Sequence, residues 1–247
     1  MIRPLTQAWL RSFSVQGSFN YDRMVGLGLA YVMEPLVRDL PGEDARGVRY
    51  RRALARAAAF FNAHPYFVPL GAAALARAER EAVPEAQVER LKNALIASLG
   101  SIGDRLVWTG WLPACSAGGL LVSVAVSPLA GIAAFLIAYN VLHLLLRWWG
   151  LRAGWRDGVH VATALSGPVM RLALRVVGRA APLAVGVAIP VAAEWLARGA
   201  PPAALPGVAV AGVSAVVLGR WLAPALGGVR IGLALVGTAF LVGLLWP

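Results

Sequence analysis

Residues 106 to 146 contain no Asp, Glu, Lys or Arg, an uncharged run of 41 residues interrupted by Pro113 and Pro128. At about 1.5 Å of rise per helical residue, the run is long enough for two crossings of a roughly 30 Å hydrocarbon layer. A membrane protein is therefore the expected class. Composition agrees, because 59% of the 247 residues are hydrophobic and 14% are charged, outside the balance of soluble domains. Further apolar blocks occupy residues 180–193, extending through Trp195 to Ala197, then 206–219 and 231–246. The last two are short for a full crossing and fit a thin or tilted layer, or shielding by protein.

A net charge of +11 would point to nucleic acid in a soluble chain. Placement argues otherwise. Arg147, Arg152 and Arg156, then Arg171, Arg175 and Arg179, lie between apolar blocks, as expected of cytoplasmic connections. Followed onward, this rule sends block 180–197 outward, leaves APPAALP outside, returns the chain at Arg220 and Arg230, and leaves the carboxyl end outside. No nucleic-acid-binding module is recognisable. Cys115 is the sole cysteine, which excludes an internal disulfide or a thiolate cluster. No metal or cofactor site is expected. Residues 1–13 carry scattered polar groups rather than the continuous apolar core of a signal peptide.

Ten of the twelve acidic residues precede residue 105. Residues 1–104 are read as an amphipathic and re-entrant helical region with polar groups, and 105–247 as an apolar transmembrane region, the two integrated in one membrane domain. In PLTQAWLRSFSVQ, Leu5, Trp9, Phe13 and Gln16 share helical spacing, which fits a helix lying on the membrane or packed on neighbouring protein. Arg49, Arg52 and Arg56 fall on one helical face, expected to meet solvent or lipid headgroups. Pro65 and Pro69 interrupt the uncharged stretch 57–76, so a broken or re-entrant element is expected. Pro84 opens a helix with an apolar stripe of Val88, Leu91, Leu95 and Leu99, expected to end at Gly100.

Three polar groups stand where polar groups are costly: residues 16–23, Asn62 with His64, and the SIGD run ending at Asp104. Ionisable groups at membrane depth usually pair or mark a pathway. Each lies beside a glycine or proline read as a helix interruption, namely Gly17 and Gly28, Pro65, and Gly100 with Gly103. Broken helices expose the backbone groups with which transporters hold small polar substrates. Duller roles are open: Asn62 and His64 can satisfy backbone groups freed by Pro65, Asp22 and Arg23 can pair with other segments, and Asp104 can cap a helix starting near Leu106. His143 and His160 are read as interfacial hydrogen-bonding groups. No HExxH, CxxC, GxxxxGK[ST] or Ser-His-Asp motif supports catalysis.

The decapeptide VQGSFNYDRM resembles the start of the enzyme IID membrane subunits of the mannose/fructose/sorbose class of bacterial sugar phosphotransferase systems, whose pattern is close to QxSWNxERMxxLGF. Gln16, Ser18, Phe19, Asn20, Tyr21, Asp22, Arg23, Met24, Leu27 and Gly28 follow it. FFNAHPY at residues 60–66, LGSIGDRLVWTG at 99–110 and YNVLHLLLRWWGLRAGW at 139–155 are similar to three further family segments, in family order. The resemblance implies an all-α membrane protein, with amphipathic and broken or re-entrant helices in its N-terminal half and spanning helices in its C-terminal half. It also implies a IIC membrane partner, cytosolic IIA and IIB phosphocarriers, a hexose substrate, a bacterial cytoplasmic membrane crossed several times, and no phosphohistidine on this chain. Asn20, Asp22, Asn62, His64 and Asp104 are the expected sugar-binding residues, with Arg23 an internal ion partner. Departures from the pattern are Ala97 and Ser98 in place of Gly-Pro, Arg105 after Asp104, His143 for an arginine, Glu34 for an apolar residue, and a short connection at 198–206. These keep open a second reading, a non-transporting IID-like scaffold with a regulatory role.

Overall fold

A computed structural model describes residues 2–42 and 44–198 of the chain. The apolar blocks at 206–219 and 231–246, Arg220, Arg230 and most of the 198–206 connection lie outside the described residues. Among the described residues the architecture is helical, without strands, as expected. The helices of the compact unit Met1–Val191 begin with α1 (Ile2–Arg11), which runs into a 3-10 segment, Ser12–Ser18. They continue with α2 (Gly26–Val37), α3 (Val48–Ala58), α4 (Val68–Arg80), α5 (Glu85–Gly103), α6 (Leu112–Ala125) and α7 (Pro128–Asp157). After a 3-10 turn at Gly158–His160 come α8 (Ala162–Leu165) and α9 (Pro168–Ala197).

The core forms around α4, where Gly71, Ala72, Ala73, Ala74, Ala76 and Ala78 are all buried. Lipid gives helices little hydrophobic reason to associate, so close approach of small residues has to hold them together. On α7, a Cβ at Gly154 would lie 2.2 Å from the Leu70 carbonyl oxygen, and one at Gly150 would lie 3.2 Å from Leu70 Cβ. Backbone therefore meets backbone along the α4–α7 contact. The α6–α7 hairpin uses the same device, since a Cβ on Gly131 would lie 2.4 Å from the Gly119 carbonyl. At its turn Ser127 Oγ accepts from the Ala130 amide at 3.2 Å, and Pro128 opens α7 where its missing N–H costs nothing. Leu129, Ile137 and Leu145 on α7, and Val169, Leu183 and Ile189 on α9, are exposed. Three stretches, Glu85–Ala125, Pro128–His160 and Ala162–Trp195, are long and apolar enough to cross a membrane.

Several expectations change. The helix opened by Pro84 does not end at Gly100 but runs on to Ala125, with a wider π-type winding over Asp104–Trp111. Leu112 N–H reaches back five residues to the Val107 carbonyl. This winding precedes Pro113, which has no N–H to offer the preceding turn, and so shifts the pairing without breaking the helix. Gly28 lies in the first turn of α2 and interrupts nothing: its missing side chain leaves room for Ser18 Oγ, which a Cβ would approach to 2.9 Å. Helix α1 packs on protein, with Ala8 buried and Trp9 edge-on to Trp148 of α7 at 5.9 Å. Arg49 and Arg56 turn inward: Arg49 donates to the Glu79 carbonyl at 2.7 Å, and Arg56 pairs with Glu79 at 2.8 Å and with Glu85.

Glu34, a charge in an otherwise apolar helix, acquires a local account. Its carboxylate accepts from Arg11 at 2.7 Å and from Arg38 at 2.8 and 2.9 Å, and Tyr50 Oη donates to it at 3.3 Å. The ion cluster ties α1, α2 and α3 together. The Arg38 hydrogen bonds, followed by those of Arg11, hold the carboxyl at about 2 despite partial burial.

Candidate functional site

Three short segments converge beside α7, and glycines let them touch. The first is the turn between the 3-10 segment and α2, where Asn20 and Met24 exchange backbone hydrogen bonds at 3.2 and 2.8 Å. Asn20 stabilises that turn, its Oδ1 accepting from the Arg23 amide at 2.8 Å and its Nδ2 donating to the Ser18 carbonyl at 3.2 Å. Met24 takes a φ of 51°, unfavourable for any residue with a Cβ. The second segment, residues 59–67, joins α3 to α4. Phe61 N–H donates to the Arg23 carbonyl at 3.2 Å and its carbonyl accepts from Val25 at 3.1 Å, so the segments run side by side. A Cβ at Gly26 would lie 2.1 Å from the Ala59 carbonyl, which excludes other residues there. The third is the π-type stretch, reached through Gly103, where a Cβ would lie 2.1 Å from His64 Cβ.

His64 stands where these segments meet, 2% exposed. Its ring lies 5.2 Å from Trp108 and edge-on to Tyr66 at 4.9 Å. Nδ1 accepts from the Tyr66 amide at 3.2 Å, which assigns the proton to Nε2. That buried Nε2–H has no acceptor among the described residues. An unsatisfied buried donor costs roughly 1–3 kcal/mol and calls for an explanation.

Asp22, Arg23, Asn62 and Asp104 are exposed around this junction. Arg23 makes no ion pair among the described residues and, in place of the ion partner expected, supplies its backbone amide and carbonyl to the turn. Asp104 lies within the continuous helix instead of at a helix start. Aromatic groups border the polar ones: Phe19 and Tyr21 lie edge-on at 5.9 Å, with Tyr21 87% exposed.

Beneath the junction is a cluster that sequence reasoning placed elsewhere. Arg147, read as part of a cytoplasmic connection, lies inside α7 and is 1% exposed. Its Nε donates to His143 Nε2 at 2.6 Å and its Nη1 donates to the Ser12 carbonyl. The guanidinium faces the rings of Tyr66 at 4.9 Å and Phe13 at 5.3 Å. His143, expected at an interface, stacks on Tyr66 at 4.2 Å, and Tyr66 Oη meets Tyr139 Oη at 2.7 Å. Along α7, Tyr139 lies about 17 Å and Arg147 about 28 Å from Pro128 by helical rise. The signal for it was present in YNVLHLLLRWWGLRAGW and FFNAHPY, but nothing in either stretch says that they meet.

Three helical stretches long and apolar enough to cross a membrane, packed with a broken element that carries a buried histidine, define a helical membrane protein among the described residues. Residues 3–194 match the family described as the PTS system mannose/fructose/sorbose family IID component, and the chain belongs to that family. It is 31% identical over 172 residues to the sorbose-specific EIID component of Klebsiella pneumoniae, covering 68% of this chain and 61% of that protein. To the mannose-specific EIID component of Escherichia coli K12 it is 29% identical over 164 residues, 64% of this chain and 57% of that protein. The match thus spans about three fifths of the length of these relatives. Among solved structures, the mannose transporter ManYZ in complex with microcin E492 has a similar fold, with a TM-score of 0.59, 22% identity, and coverage of 81% of this chain and 72% of that one.

Proposed function

We propose that this chain is one membrane subunit of a phosphotransferase-system sugar transporter. With a IIC-type subunit it forms the translocation unit for uptake and coupled phosphorylation of a hexose of the mannose/fructose/sorbose class. Cytosolic IIA and IIB components carry the phosphoryl group, and the chain crosses a bacterial cytoplasmic membrane several times. Family membership supports this reading. The observation that carries it is the Nε2–H of His64, without an acceptor among the described residues, at the meeting of the three polar segments. A sugar offers hydroxyl and ring oxygens to such a donor, and Asn62, Asp22 and Asp104 supply further donors and acceptors at the rim, with Asn20 holding the rim's turn. Movement of one helical unit against another would carry these groups between the two sides.

The test is uptake of radiolabelled mannose, fructose, glucosamine and sorbose in cells lacking the gene and in cells with it restored alongside its IIC-type partner. Recovery of phosphorylated sugar for one substrate supports transport. In that assay His64→Ala and Asn62→Ala are each expected to weaken apparent affinity, by about tenfold for His64, with membrane insertion retained. Normal uptake kinetics in both variants would remove these residues from the site. No gene-dependent uptake of any of the four sugars would favour the non-transporting scaffold.

A further inference from the structure

Arg147 is the largest side chain in the unit that is fully buried, and it forms no ion pair among the described residues. Its partners are neutral: the Ser12 carbonyl, His143 Nε2 at 2.6 Å, and the faces of Tyr66 and Phe13. A charge buried without a counter-charge costs several kcal/mol, and an apolar side chain of similar volume usually fills such a place at no loss of stability. Stability therefore does not account for an arginine here.

What it touches does. His143 can accept from Arg147 Nε only when neutral with its proton on Nδ1, and in that state its ring lies flat on Tyr66, at an interplanar angle of 12°. Tyr66 in turn donates its amide to His64 Nδ1, the bond that leaves the His64 proton on Nε2. One guanidinium thus ties the N-terminal 3-10 segment, 135 residues away in sequence, to α7 and to the 59–67 segment. Resting on the sugar-binding reading above, we propose that Arg147 is a positioning residue: through His143 and Tyr66 it fixes the orientation and tautomer of His64 toward substrate, without itself touching sugar.

The experiment pairs amide hydrogen exchange with sugar binding on the full chain purified with its membrane partner, in wild type, Arg147→Met, Arg147→Lys, His143→Gln and His143→Leu. Methionine is expected to leave helicity and thermal midpoint unchanged, to speed exchange at the Tyr66 amide by about tenfold, and to weaken mannose, fructose or sorbose binding by about tenfold with maximal turnover within about twofold. His143→Gln keeps an acceptor for Arg147 and should lie nearer wild type than His143→Leu in both readouts. Exchange at Tyr66 that is unchanged in Arg147→Met overturns the proposal. If Arg147→Met fails to insert, the His143 pair decides, and equal behaviour of Gln and Leu overturns it. If wild type binds none of the three sugars, the transport reading fails, while the exchange arm still decides the role of Arg147.

Discussion

A single missing methyl group shows how tightly the site is specified. At Gly103 a Cβ would lie 2.1 Å from His64 Cβ and 3.1 Å from a ring carbon of Phe67, both of them buried. Gly103→Ala is expected to push the 59–67 segment away from the π-type stretch and lower sugar uptake more than it lowers the thermal midpoint. Gly100→Ala, with nothing within 4 Å of its Cβ, is the matched control and should leave uptake unchanged. Equal uptake by the two variants would show that the Gly103 contact is dispensable. Gly154→Ala meets the Leu70 carbonyl at 2.2 Å, an atom with no rotamer to move, so a loss of about 1–3 kcal/mol in unfolding free energy is expected. Sequence reading singled out Gly103 but gave it the wrong task. The pattern of residues around it shows only that a glycine is present, whereas its use as a contact surface depends on a segment some forty positions earlier.

Between elements, the ion clusters set how α1 to α5 are joined. Glu34 binds α1 and α3 to its own helix, and its carboxyl is held at about 2 against an ordinary 4.5. A depressed carboxyl stabilises the fold above its unfolded value and loses that contribution as pH falls through the folded one. The detergent-solubilised chain should therefore lose thermal stability between about pH 4.5 and 2, by roughly 2 kcal/mol in all, and Glu34→Gln should flatten that slope. A slope unchanged by the substitution would place the loss elsewhere. Arg56 plays the corresponding part for α3, α4 and α5, pairing with the buried Glu79 at 2.8 Å and with Glu85. Glu79→Ala leaves Arg56 with Glu85 as its remaining carboxylate and is expected to cost about 3 kcal/mol by chemical denaturation. These pairings were not legible, because Arg49, Arg52 and Arg56 of α3 satisfy the pattern of a solvated face equally well. The broken element at 57–76 was legible, since two prolines within five residues limit what any backbone can do there.

For the whole molecule, orientation follows from where charge is absent. The α6–α7 turn at Val126 and Ser127 carries none, while Arg152 and Arg156 lie at the far end of α7. With Cys115 replaced by Ala, a cysteine at position 127 should react with an impermeant maleimide on intact cells, and one at 157 only after permeabilisation. Labelling of both from the same side would show that α7 does not cross. Hydropathy and proline placement by themselves determined that this is a helical membrane chain with long apolar helices in its C-terminal half, and that its N-terminal half contains a broken element. Those properties depend on the solvent a segment meets and on backbone rules that act over a few residues. Only the tertiary structure decided that Arg147 lies within a helix and reaches Ser12, that Gly103 makes room for His64, and that the buried Nε2–H of His64 is left without an acceptor among the described residues. Each of these depends on segments distant in sequence packing against one another, and local periodicity carries no record of which surfaces will meet.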